Sequence, residues 1–108
     1  MVITMLKYLS KIEKVRSINK NYHVSDRQAA ILDYVCEKHL SHKACHINEI
    51  ILLKTIGSQA TLHAVTKELT KLNLIKVSMD LVDNRMKNVL PTPLALTRLR
   101  ALVAIFQK

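Results

Sequence analysis

Ile47-Asn48-Glu49-Ile50-Ile51-Leu52-Leu53-Lys54-Thr55-Ile56-Gly57-Ser58-Gln59-Ala60-Thr61-Leu62-His63-Ala64-Val65 is the stretch that decides the fold. Ile47, Ile50, Ile51 and Leu53 are spaced as on a helix and predict a short one from about Ile47 to Lys54. Thr55-Ile56-Gly57-Ser58 then interrupts it. Gly57 is the single glycine of the chain and stands where a tight interhelical turn calls for a residue without Cβ. Ser58 carries a hydroxyl suited to cap the next helix. From Gln59 to Leu72, the residues Leu62, Val65, Leu69 and Leu72 keep helical spacing and leave Gln59, Ala60, His63, Ala64 and Lys67 on a small, polar and basic face. A short helix, a glycine-containing turn and a longer helix have helix-turn-helix spacing.

Downstream, Leu74-Ile75-Lys76-Val77-Ser78-Met79 alternates and is rich in strand formers. Asp80 to Asn88 is polar, and Val89-Leu90 is apolar again. The pattern predicts a two-stranded hairpin with a long charged tip, the place of a wing. Thr92-Pro93 reads as N-cap and first residue of a last helix over 92–107, with Leu96, Leu99, Leu102, Val103 and Phe106 in a stripe beside Arg98 and Arg100. Upstream, Val2, Met5, Leu6, Leu9, Ile12 and Val15 predict an amphipathic helix over 1–20, with Lys7, Lys11, Lys14 and Arg16 interspersed. A second helix begins at Ser25-Asp26, carries Ala29, Leu32, Val35 and Cys36 on one face with Ile31 and Tyr34 beside it, and fades around His39 to Lys43. The fold class is therefore mainly α with a small β-hairpin wing, a winged helix-turn-helix, in a single domain spanning 1–108 with its core at 26–91.

Charge and composition agree with that architecture. The chain has 108 residues, 17 Lys+Arg against 8 Asp+Glu, a formal charge of +9, and 49% hydrophobic residues. That apolar content excludes a disordered basic tail. One Gly and two Pro disfavour folds built on many tight turns. No apolar run approaches the ~20 residues needed to cross a bilayer. The opening residues, with Lys7 among them and no small-residue cleavage site, are not expected to be a signal peptide, so the expected location is the cytoplasm, on the nucleoid. The excess of positive charge makes a polyanion the default partner.

Ile47-Asn48-Glu49-Ile50-Ile51, Gly57-Ser58-Gln59-Ala60-Thr61-Leu62-His63, Leu69-Thr70-Lys71-Leu72-Asn73-Leu74-Ile75 and Asp83-Asn84-Arg85-Met86-Lys87 together resemble the MarR-type (multiple-antibiotic-resistance regulator) family of bacterial winged helix-turn-helix transcription regulators. The resemblance covers about Asp26 to Thr92. It implies a recognition helix in the major groove of double-stranded DNA, a wing whose Asp-x-Arg motif aims an arginine at the minor groove, and a homodimer made through the terminal helices. Asn73 stands where the family has glycine, and Asn tolerates a left-handed backbone. The chain is also shorter than typical members, which takes length from the C-terminal dimerisation region.

On this reading Ser58, Gln59, Ala60 and His63 face the groove floor, where Gln can bind adenine with two hydrogen bonds, and Lys67 reaches a phosphate. The alternative is an ordinary solvated helix face, with His63 against the wing. Arg85 and Lys87 contact DNA from the hairpin tip, with Asp83 orienting the arginine; the alternative is a charged loop that serves solubility. Lys71 and Lys76 are backbone-steering charges, and Arg27 faces either a phosphate or solvent. Leu6, Leu9, Leu99, Leu102 and Phe106 are the expected dimerisation residues, against the alternative that both terminal helices cap the chain's own core.

Cys36, His39, His42, Cys45 and His46 are a local cluster of metal-ligand types. On one helix their spacing would turn them off any common face, so they meet only if the chain unwinds near Ser41. Apolar, buried cysteines are favoured over a zinc site or a redox-sensing thiol, and no metal, cofactor or effector ligand is assigned. Membrane-surface binding by the basic first helix is disfavoured, since Tyr8 is its lone aromatic anchor. No phosphate loop, catalytic triad or carboxylate pair points to an enzyme. A winged-helix protein-interaction module, or a replication or partition accessory factor, is the alternative function.

Overall fold

The computed structural model describes residues 1–79, 82 and 86–107; Asp83 and Arg85 of the expected wing motif lie outside the described residues. The elements run α1 (Val2–Asn21), α2 (Asp26–Leu40), α3 (Ile47–Ile51), α4 (Gln59–Lys71), β1 (Ile75–Met79), β2 (Lys87–Pro91) and α5 (Pro93–Phe106). This is the winged helix-turn-helix order. Among the described residues, no helix is long and apolar enough to cross a membrane.

Local chemistry sets the helix starts. Ser25 Oγ accepts the Gln28 N–H at 3.2 Å while Gln28 Oε1 accepts the Ser25 N–H at 2.9 Å, a reciprocal capping box. Ser58 Oγ caps α4 through the Thr61 N–H at 3.2 Å, and Thr92 Oγ1 caps α5 through the Ala95 N–H at 3.2 Å. The Thr92 hydroxyl also donates to the Asn73 carbonyl at 2.7 Å, which joins the end of the hairpin to the end of α4.

The helix stops are less usual. α1, α2 and α4 each end with a residue in left-handed backbone: His23 (φ 61°), His42 (φ 57°) and Asn73 (φ 60°). Each is accompanied by the backbone bond of a Schellman cap: Val24 N–H to Asn19 O, Lys43 N–H to Lys38 O, and Leu74 N–H to Leu69 O. A chain with a single glycine thus uses histidine and asparagine, the side chains that best tolerate this region. Asn73 does what glycine does elsewhere.

One sequence expectation changes, and the reason behind another becomes visible. α3 ends at Ile51 rather than near Lys54, because Leu53 and Ile56 fold back in turns, with the Leu53 N–H on Ile50 O and the Ile56 N–H on Leu53 O. Gly57 does not have positive φ. Its missing side chain matters through proximity instead, since a Cβ would stand 3.2 Å from Thr61 Cγ2 and 3.6 Å from Arg27 Nε.

The core sits between α2, α3, α4 and the hairpin. Ile31, Leu32, Val35, Ile50, Leu62, Leu69, Leu74, Ile75 and Val89 are fully buried there. Burying large aliphatics contributes about 1.5–3 kcal/mol each, the main drive for this lobe. Thr66 joins them in α4, and its hydroxyl donates to the Leu62 carbonyl at 2.8 Å, so its polar group is not stranded. β1 and β2 pair antiparallel from Ile75↔Pro91 to Met79↔Lys87. A bridge at His46↔Asn88, with Val89 N–H on Cys45 O at 2.7 Å, ties the start of α3 to the hairpin.

Outside this lobe α5 packs along α1, with Lys11 Nζ 5.7 Å from the centre of the Phe106 ring. α1 then runs free: Met1 through Ser10 are all exposed. The expected stripe is covered only at Ile12 and Val15, and even these are half-buried.

Candidate nucleic-acid interface

α4 is held by its buried face and shows the opposite one. Leu62, Val65 and Leu69 point into the core, whereas Ser58, Gln59, Ala60, His63, Ala64 and Lys67 are exposed. The capped N-terminus of α4 leaves its first turn as a firm, amide-rich end beside Gln59 and Ala60. The α2 side holds α4 near both ends, ahead of its first turn and in its last. Arg27 Nε donates to the Ile56 carbonyl at 3.1 Å, and Gln28 Nε2 donates to Glu68 Oε1 at 3.0 Å. Arg27 is exposed, so its remaining guanidinium N–H groups lie next to the helix-turn-helix corner, a placement that sequence alone leaves open.

Between α4 and the hairpin lies a groove of about 640 Å³. His63, Thr66, Lys67, Thr70 and Lys71 form its α4 wall, Val77, Met86 and Lys87 its hairpin wall, and His46 and Asn48 its end. No Asp or Glu lines it among the described residues. Lys67, Lys71 and Lys87 put three positive charges on its walls, which a polyanion would neutralise. The structure brings His63 and Lys67 together with Lys87, while Gln59 and Ala60 sit one turn away, outside the groove lining. Lys87 opens β2 opposite Met79 rather than standing in the hairpin tip. His46 and Asn48 were missed from sequence, because only the pairing of residue 46 with residue 88 brings that corner here, and Thr70 was missed although it follows Lys67 by one turn on the same face of α4.

The Cys/His cluster comes apart. The chain does unwind after Leu40, with Ser41 as C-cap and His42 left-handed. Yet Cys36 and Cys45 turn into the core, while His39 and His42 face solvent. Among the described residues no three His, Cys, Asp or Glu side chains converge as a metal site requires. Burial pushes the Cys36 thiol above its ordinary value. Burial, a hydrogen bond with Glu49 and the Glu49 charge push the Cys45 thiol up to about 12. Both remain protonated thiols near neutrality, the opposite of a reactive thiolate.

The terminal helices divide the expected dimerisation residues. Leu6 and Leu9 are 60% and 56% exposed, and Phe106 is 52% exposed. Leu99 is half-buried against the core, and Leu102 is half-buried too.

Compared by sequence, the chain matches no family model and no curated protein. Compared by structure, it is similar to MepR of S. aureus in a complex with DNA, with a TM-score of 0.79 at 20% identity over 95% of this chain and 73% of that one. MepR bound to ethidium bromide gives 0.75 at 20% identity, over 97% and 72%. The transcriptional regulator Tm0710 from Thermotoga maritima gives 0.71 at 14% identity, over 95% and 68%. At such identities the likeness is one of fold, and it takes in nearly the whole chain, terminal helices included.

Proposed function

We propose that this protein is a sequence-specific, double-stranded DNA-binding transcription regulator of MarR type, acting as a homodimer on the nucleoid. The observation that carries the reading is the pairing of an anchored α4, showing Gln59, Ala60, His63 and Lys67, with a groove against the hairpin lined by Lys67, Lys71 and Lys87. The fold shared with a protein solved on DNA supports it. In this mechanism α4 enters the major groove, Gln59 reads base edges, and Ala60 lets the helix sit deep. Ser58 caps the helix end that faces the groove floor and Lys67 holds a phosphate, with Lys71 and Lys87 lining the adjacent strand. Arg85, with Asp83 as its partner in the Asp-x-Arg motif, is assigned the minor groove. Regulation comes from occupancy of the site, with no catalytic step. The apolar residues of α1, with Phe106 of α5, are the surface for the second copy, and a two-fold dimer would place two α4 helices on a palindromic site.

Selection from a random duplex library over a salt series tests this. The expected result is a steep salt slope together with an enriched inverted repeat. A steep slope with no enrichment would leave a non-specific DNA coater, and no binding at moderate salt would overturn the proposal.

A further inference from the structure

We propose that Arg98 is a positioning residue that sets the angle at which α1 and α5 leave the DNA-reading lobe, and with it the half-site spacing a dimer accepts. The inference deepens the DNA-binding reading and rests on it. Arg98, in the middle of α5, is completely buried. Its Nε donates to Asn19 Oδ1 on α1 at 2.9 Å, and its Nη1 donates to Asp33 Oδ1 on α2 at 3.0 Å. One side chain therefore ties three helices together. Asn19 is buried, whereas the Asp33 side chain is 54% exposed. Nη2 is buried and finds no hydrogen-bond partner among the described residues.

As a source of stability this is a poor arrangement. A guanidinium has been taken out of water, its counter-charge remains half in solvent, and one donor group is unmet; an apolar side chain of similar volume would avoid all three costs. What the arrangement supplies is direction. Apolar ridges between packed helices can slide to a neighbouring groove, but a buried guanidinium that bonds to the buried Asn19 on one helix and to Asp33 on another loses those bonds when either helix shifts. The rest of α1's anchorage cannot do this, since Ile12, Val15 and Ile18 are only half-buried and every residue before Lys11 is exposed. The tie also sits at the base of a lever. A tilt of about 10° at Asn19 carries Val2, about 25 Å away along the helix, through about 4 Å. In a dimer joined through these helices, that motion changes the separation of the two α4 helices.

The test uses Arg98→Met and the double variant Asn19→Leu/Arg98→Met, which also removes the amide left without its donor. Two readouts are needed. The first is affinity for the selected inverted repeat with base pairs added or removed between half-sites. Wild type should lose about tenfold per change and the variants less than about threefold, with half-site affinity kept. The second is the distance distribution between spin labels at Lys7→Cys and His39→Cys, diluted with unlabelled protein. It should be narrow in the wild-type background and broad in the variants, whether or not DNA binds. A wild-type spacing preference and an unchanged distribution in a folded variant would overturn the proposal, and so would failure of both variants to fold, which would make Arg98 a stability residue. If wild type binds no DNA but the distribution broadens, the regulator reading fails while Arg98 keeps its positioning role.

Discussion

Helices α4 and α1 both leave a face uncovered, and the two faces are opposite in kind. α4 is pinned by Leu62, Val65 and Leu69 beneath it and shows water a short, polar, basic surface. The stretch of α1 before Lys11 is covered by none of the described residues and exposes Val2, Ile3, Met5, Leu6 and Leu9 at between 56% and 70%. The difference shows that exposure alone does not name a partner. A basic face on a fixed helix is stable in water and attracts a polyanion at long range, whereas an apolar face on an unsupported helix gains only by meeting another apolar surface.

The largest effect that could break this contrast is on stability. Leu69→Ala should cost about 2–5 kcal/mol in urea unfolding, since it empties a core position. Leu9→Ala should cost the dilute chain less than about 0.5 kcal/mol while weakening self-association in sedimentation. Equal costs would erase the distinction between the two helices.

On DNA the contrast sharpens within α4 itself. Gln59→Ala should lose about 1–3 kcal/mol on the selected site and little on random duplex, while Lys67→Ala should weaken both and lower the salt slope by about one. An equal loss on random DNA would remove Gln59 from base reading.

The anchored side also carries a pH signature. Cys45 ionises near 9 in an unfolded chain but is pushed up to about 12 when folded. The folded state therefore holds the proton longer, so its contribution is complete below pH 9 and is lost as pH rises from 9 towards 12. Unfolding monitored over that range should show falling stability, and Cys45→Ala should flatten the fall.

The smallest expected change concerns the left-handed stop of α2, the helix against which α4 is anchored. His42→Gly should raise stability by less than about 1 kcal/mol by relieving left-handed strain, and His42→Val should lower it, as read by thermal unfolding.

Much of the lobe was legible because it rests on local rules. Ser25, Ser58 and Thr92 mark helix starts by their hydroxyls, and the helical spacing of Leu62, Val65 and Leu69 marks the buried side of α4 and so, by subtraction, the outward one. Asn73 was readable as a left-handed stop because its side chain tolerates that backbone. The groove was only half legible: Lys67 and His63 come from α4's period, but His46 and Asn48 arrive through a bridge to Asn88 that no spacing announces. Gly57 was readable as a position that needs a residue without Cβ, but only packing shows that the reason is the room taken by Thr61 and Arg27.

Arg98 marks the boundary most clearly. In the sequence it stands beside an apolar stripe, as a solvent-facing charge would, and only packing reveals it at full burial between Asn19 and Asp33. Element types, caps, charge and the faces of α2 and α4 can be read from the sequence by itself, because each depends on residues within a turn or two. The tertiary structure alone decided which polar groups meet across 79 and 65 residues, why the Cys/His cluster disperses, and how little of α1 the chain can cover. Those outcomes depend on where whole helices lie, which nearest neighbours along the chain do not encode.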